Sequence, residues 1–244
     1  MALMRTAVKN YFQHVHAEVV RLCAHLRETP SAEGLHHLRV QLKRIRFLRK
    51  LMKHYGPPQS ARLFLPYVQL FNGAGKIRGH QVNRYRMQGT AAPPDAREKK
   101  LLRIFLKQLP RSKQQLVLAA PHIAHQWSSV KLPGVAAYGN RLAARIKKRI
   151  TPLLFTHQLH RSRKLLKELI YSAEVSNALH TCLHTRFNMQ AAAELEDKIG
   201  DWHDLALALR TRVASNAIRE KRVAQKKAKL DQVYQLLRAG LFVQ

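Results

Sequence analysis

His36, Arg39, Lys43, Arg46 and Lys50 follow one another at intervals of three and four residues. At about 100° per helical residue the five fall within an arc of roughly 80°, one narrow strip of positive or protonatable groups. Arginine offers paired hydrogen bonds to phosphate or carboxylate oxygens, lysine acts as a point charge, and histidine adds a charge that depends on pH. Such a strip suits the holding of anions. The residues that would turn anion binding into catalysis are missing from the pattern: there is no Gly-x-Ser-x-Gly, no phosphate-binding glycine loop and no carboxylate pair in a plausible pocket. The expectation is a binding protein rather than an enzyme, needing neither cofactor nor metal.

The strip must be carried by a helix, and its neighbours say how that helix is packed. Leu35, Leu38, Leu42, Ile45 and Met52 flank the cations on one side, and Val40, Phe47 and Leu51 on the other. An ordinary surface helix has one apolar face opposite one polar face. Here both shoulders of the cationic strip ask for burial, so the strip is expected to look into a groove rather than out into bulk solvent. No acid lies between Glu33 and Asp95 to form the usual i,i+4 pairs, although that stretch holds twelve lysines and arginines. Between Glu98 and Glu168 the same segregation recurs with sixteen.

A similar pattern follows in the second half. His157, His160, Lys164, Lys167 and Tyr171 occupy corresponding angular positions, with Leu159, Leu165, Leu166 and Ile170 as flanks. Arg141, Arg145 and Lys148 line one side of a third helix whose opposite face is apolar. Two basic helices facing each other would line an interior channel. Dry burial of those charges would cost several kcal/mol each without partners, so such a channel must hold water or an anion.

The elements around these helices read as all-α. Glycine and proline are scarce and clustered, the segments between them are rich in Leu, Ala, Lys, Arg and Gln, and no useful length alternates like a strand. Breaks are expected at residues 30–34, 56–58, 73–79, 89–94, 133–139 and at Gly200, with Pro110, Pro121 and Pro152 ending or kinking helices. Ser31 or Glu33 suits the start of the second helix, and Asp95 suits a cap after Pro94. A faint duplication sets His36 against His157, 121 residues later, and Gly75 against Gly200, 125 residues later. This predicts one domain spanning 1–244, built as two related halves of about 1–115 and 116–244.

With 244 residues, 46% of them hydrophobic, the chain has enough apolar material for a core. The formal charge of +30 then demands a polyanionic partner: nucleic acid, anionic membrane or polyphosphate. No signal peptide or membrane-spanning stretch is read in the chain. Cys23 and Cys182 are too few for a disulfide framework or zinc site, so a cytoplasmic protein with reduced thiols is expected. Three other signals rank low. Glu194, Glu196 and Lys198 spell the E-x-E-x-K pattern of triphosphate-cleaving tunnels. In a helix, however, i and i+2 diverge by about 200°, which leaves a solvated turn. His180 and His184 have a metal-like i,i+4 spacing but lack completing ligands. The basic run from Arg219 to Lys229 reads as a solvated helix. Trp127 and Trp202 lie outside the basic strips, which disfavours the base-stacking platforms of single-strand binders.

The run from Leu35 to Arg46, with His36, Arg39, Val40, Lys43, Arg44 and Arg46 in order, resembles the signature helix of the conserved histidine α-helical domain, or CHAD, family. Gly75-Lys76-Ile77-Arg78 and Gly200-Asp201-Trp202-His203-Asp204 resemble its glycine-turn motif, with Gly79 in place of the aspartate expected after Arg78. The resemblance spans nearly the whole chain. It implies two pseudo-symmetric helical-bundle halves around a central basic pore, and non-enzymatic binding of inorganic polyphosphate as a granule-associated or scaffold protein. The strips and the resemblance together mark the expected binding residues: His36, Arg39, Lys43, Arg44, Arg46, Lys50 and Arg78 in the first half. In the second they are Arg141, Arg145, Lys148, His157, His160, Lys164 and Lys167, with His160 standing where arginine is usual and Leu165 where a base is usual. Non-specific binding of nucleic acid by the same charges is the alternative.

Overall fold

In the computed structural model, the described residues are 2–88, 93–150, 156–209 and 216–242. The chain folds as two compact units, Met1–Leu132 and Pro133–Gln244. Every regular element longer than a single bridge is a helix among these residues, as the composition predicts.

The first unit holds α1 (Ala2–Glu28), α2 (Ala32–Tyr55), α3 (Leu65–Gln88) and α4 (Ala96–Gln126), with 3-10 turns at Ser60–Phe64 and Trp127–Ser129. α1 packs on α2 and α4, and α3 packs on the same two helices, which closes a four-helix bundle. Its core is written as heptad-like spacing: Val8, Phe12, Val15, Val19, Leu22 and Leu26 on α1 meet Leu35, Leu38, Leu42, Ile45 and Leu48 on α2. Phe64 and Tyr67 close one end around Phe12, with ring centroids 5.9 and 6.3 Å away, and His16 Nδ1 lies 2.8 Å from the Tyr67 hydroxyl. Ser31 caps α2 by accepting from the Gly34 amide at 2.9 Å, and Asp95 caps α4 by accepting from Glu98 at 2.8 Å, as the sequence suggests.

The second unit holds α5 (Val135–Arg149), α6 (Thr156–Ala173), α7 (Asn177–His184), α8 (Met189–Ala208) and α9 (Asn216–Ala239). α6 is central, touching α5, α7 and α8, while α9 packs along α8 through buried Val233 and Leu237. An isolated antiparallel bridge joins Phe187 to Phe242.

Three punctuation readings are corrected. The glycine-rich stretches at 73–79 and 200 do not interrupt the chain: α3 and α8 run straight through them. Pro110 and Pro121 do not end a helix either, since both lie inside α4. A proline in a helix costs about 3 kcal/mol, but burying a large apolar side chain returns about 1.5–3 kcal/mol. Phe105, Leu109, Leu116 and Ile123 carry the buried face across both prolines, so packing wins. With α4 whole, the first compact unit runs on to Leu132. Pro152 and residues 89–92 lie outside the described part.

Candidate functional site: two basic helix faces

The strip on α2 has the two buried shoulders its sequence asks for. Leu35, Leu38, Leu42, Ile45 and Met52 are buried on one side, and Phe47 and Leu51 on the other. Val40 is half-buried. Between them Arg39 lies over α3. Its guanidinium carbon sits 4.6 Å from the centroid of Phe71, and its Nη1 donates to the Phe71 carbonyl at 3.3 Å. Arg46, two turns further along α2, places its own guanidinium carbon 4.5 Å from the same ring. Gly75 is the floor of this arrangement: a Cβ there would lie 2.7 Å from Arg39 Nη1. The helix glycine costs about 0.5–1 kcal/mol against alanine, and what it permits is the close seat of an arginine.

Like charges are crowded here. Burial, then Arg78 and Arg46, lower the pKa of Arg39 from its ordinary value. Burial lowers that of His36, followed by the nearby Arg78, Lys43, His37 and Arg39. Among the described residues no carboxylate forms an ion pair with His36, Arg39, Arg46 or Arg78. Lys50 is exposed at the far end of the strip. Arg44 stands off it, with Nη1 donating to Gln41 on its own helix at 3.0 Å.

α6 and α8 form a comparable pair with a different outcome. Arg163 on α6 lies against Gly200 on α8, where a Cβ would be 2.6 Å from Arg163 Nη2. Arg163 Nε donates to Oε1 of Glu196, and Lys167 Nζ reaches the same oxygen at 2.7 Å. Glu196 is buried, and its pKa stays below the ordinary carboxylate value because bonds from Lys167 and Arg163 outweigh the upward push of burial. The ring of His160 lies 4.9 Å from that of His203, and burial, Lys164, His203 and Arg163 lower its pKa.

The CHAD domain family matches residues 7–213, most of the chain. The protein belongs to the CHAD family. Its fold is similar to that in the crystal structure of the CHAD domain from the plant Ricinus communis, with a TM-score of 0.63 at 17% identity, over 98% of this chain and 94% of that one. No curated protein matches the chain. Among the described residues, no helix of this CHAD chain is long and apolar enough to cross a membrane.

In the second unit the spacing of His36, Arg39 and Lys43 recurs one turn later than the sequence comparison sets it. His36-x-x-Arg39-x-x-x-Lys43 corresponds to His160-x-x-Arg163-x-x-x-Lys167, an offset of 124, because Arg39 and Arg163 are the arginines seated on Gly75 and Gly200. The pairing of His157 with His36, and of His160 with an arginine position, is therefore corrected. His160 stands where histidine belongs, and Lys164 matches Val40. The side chain of His157 lies outside the described part. Arg163, Glu196 and Phe71 were not among the expected site residues. The signal for them is one of spacing: Phe71 and Glu196 each precede the motif glycine by four residues, and so share its helix face.

Other expectations divide. Arg145 is half-exposed but paired with Glu168, Nη1 to Oε1 at 2.8 Å and Nη2 to Oε2 at 3.2 Å, while Arg141 and Lys148 are exposed. Tyr138, Leu142 and Ile146 bury the other side of α5 as expected. Glu194-to-Lys198 is helical, yet Glu196 is a buried partner of two cations rather than part of a solvated turn. The rings of His180 and His184 on α7 lie 4.0 Å apart, tilted by 35°, and among the described residues they join no group of three metal-ligating side chains. In the C-terminal run, Lys229 pairs with Asp201 at 3.0 Å and Lys226 lies 5.9 Å over Trp202.

Proposed function

We propose that this CHAD domain binds inorganic polyphosphate without turning it over, acting in the cytoplasm as a granule-associated or scaffold protein. The observation that carries the reading is the α2–α3 face. There His36, Arg39, Arg46 and Arg78 are drawn together without an ion-paired carboxylate among the described residues, and burial with mutual repulsion lowers the pKa of His36 and Arg39. Such a cluster is most stable when an anion joins it. A linear polyphosphate supplies closely spaced charges, with oxygens for bidentate arginine bonds and for the lysine point charges. Helical support fixes the cations beforehand and reduces the ordering cost of binding.

The test is calorimetric titration of the full chain with size-defined polyphosphates at two salt concentrations, beside double-stranded DNA. Tight binding that weakens steeply with salt, and displacement of DNA by short polyphosphate at far lower phosphate concentration than the reverse, are expected. DNA binding that polyphosphate fails to displace would replace this reading with nucleic-acid binding. Phosphate release on adding magnesium would overturn the absence of turnover.

A further inference from the structure

We infer that one position, a helical turn before the motif glycine, sets the two CHAD halves unequal. Phe71 is a positioning residue that holds Arg39 and Arg46 for an incoming anion, whereas Glu196 at the matching place on α8 already occupies the second set of cations. The inference rests on the polyphosphate reading for the identity of the anion, and on the geometry alone for the inequality.

What differs is the part of the guanidinium that each neighbour uses. An aromatic ring attracts the face of the planar cation through its quadrupole, and leaves the in-plane N–H groups directed outward. The guanidinium carbons of Arg39 and Arg46 both lie over Phe71, at 4.6 and 4.5 Å, and one Arg39 N–H is taken by the Phe71 carbonyl. Two like charges are thus brought to one ring with no ion-paired carboxylate among the described residues, and most of their donors stay available for phosphate oxygens. A carboxylate does the opposite. It binds the edge of the guanidinium, the same donors that a phosphate needs. Glu196 takes Arg163 Nε and Lys167 Nζ together on one oxygen, from a buried position. An external anion must compete with that carboxylate at α6, and has no such competitor among the described residues at Arg39 and Arg46. The rest of the two frames matches: His36 with His160, Arg39 with Arg163, Lys43 with Lys167, Gly75 with Gly200 and Arg78 with His203.

The experiment compares full-length wild type with Phe71→Leu, Phe71→Tyr and Glu196→Gln, each checked for helicity by far-UV circular dichroism. Two probes are titrated by calorimetry, size-defined polyphosphate and heparin. Losing two cation–π contacts in Phe71→Leu weakens binding about tenfold, while Phe71→Tyr, which keeps the ring, stays near wild type. Glu196→Gln tightens binding severalfold and steepens the salt dependence by about one added phosphate contact, roughly 0.7 in slope. Equal affinity of Phe71→Leu and wild type, or equal loss in Phe71→Leu and Phe71→Tyr, would reduce Phe71 to packing and overturn its role. A Glu196→Gln variant that binds no better than wild type would overturn the role of Glu196. Should wild type take heparin but not polyphosphate, the polyphosphate reading falls, and the variant ratios on heparin still decide the inference. Binding of neither probe sinks both.

Discussion

The α2–α3 face and the α6–α8 face share one plan and differ in how its charge is balanced. Each sets a His-x-x-Arg-x-x-x-Lys helix against a partner helix whose glycine seats the arginine. On the first face the arginine rests on an aromatic ring; on the second it is bonded to a buried carboxylate. A shared backbone frame therefore does not imply a shared electrostatic state. A buried carboxylate with two cationic partners is a settled arrangement, and removing either side leaves an uncompensated charge. A ring beneath two arginines leaves the positive field in place.

Charge reversal separates the two faces most directly. Arg39→Glu with Lys43→Glu should abolish tight polyphosphate binding with far-UV helicity intact, while Arg163→Glu with Lys167→Glu should cost far less affinity. Equal losses in the two double variants, measured by calorimetry, would mean the faces contribute alike. Next come the glycines. Gly75→Ala relieves a helix penalty of about 0.5–1 kcal/mol, yet its Cβ would meet Arg39 Nη1 at 2.7 Å and push the flexible guanidinium aside. Thermal stability should hold or rise as affinity falls severalfold. Gly200→Ala, whose Cβ would meet Arg163 at 2.6 Å and press it away from buried Glu196, should lower thermal stability instead, with a smaller change in affinity.

A smaller effect is expected from pH. His36 and His160 both have pKa values lowered from the ordinary 6.5, first by burial and then by neighbouring cations. The free protein therefore holds them neutral at pH 7, and a bound anion must raise their pKa. Binding takes up protons in the window between the free and bound values, and affinity rises as pH falls through it. Titrations in buffers of different ionisation enthalpy will show this uptake, and His36→Gln should reduce it. A fall in affinity on acidification would contradict the sign. The least effect on binding belongs to Ser31→Ala. Loss of the α2 cap costs stability by about 1 kcal/mol, read in the melting temperature, and affinity should stay unchanged because the cap lies outside the strip.

Much of this was legible before the fold. The strip on α2 declared itself because its flanks are apolar on both sides and no acid interrupts it, and the buried shoulders follow from that pattern alone. The Ser31 and Asp95 caps were equally local. Glycine misled. In a chain punctuated by glycine, Gly75 and Gly200 look like turns, yet they are floors inside helices, and only a seated side chain distinguishes the two uses. The second strip misled for another reason: Arg161, Arg163 and Lys164 crowd α6 with bases, so more than one register fits the same helical arc. Glu196 was hidden because a solvated and a buried glutamate have the same letter.

The helical class, the caps, the segregation of charge and the basic strip of α2 are all local properties of the chain, since each depends on residues within a few turns of one another. Tertiary structure alone decided which arginine lies on which glycine, and whether a ring or a carboxylate stands beneath it. Those facts join residues 32 to 37 positions apart in the chain, on helices whose rotation about their own axes is set by packing rather than by local pattern.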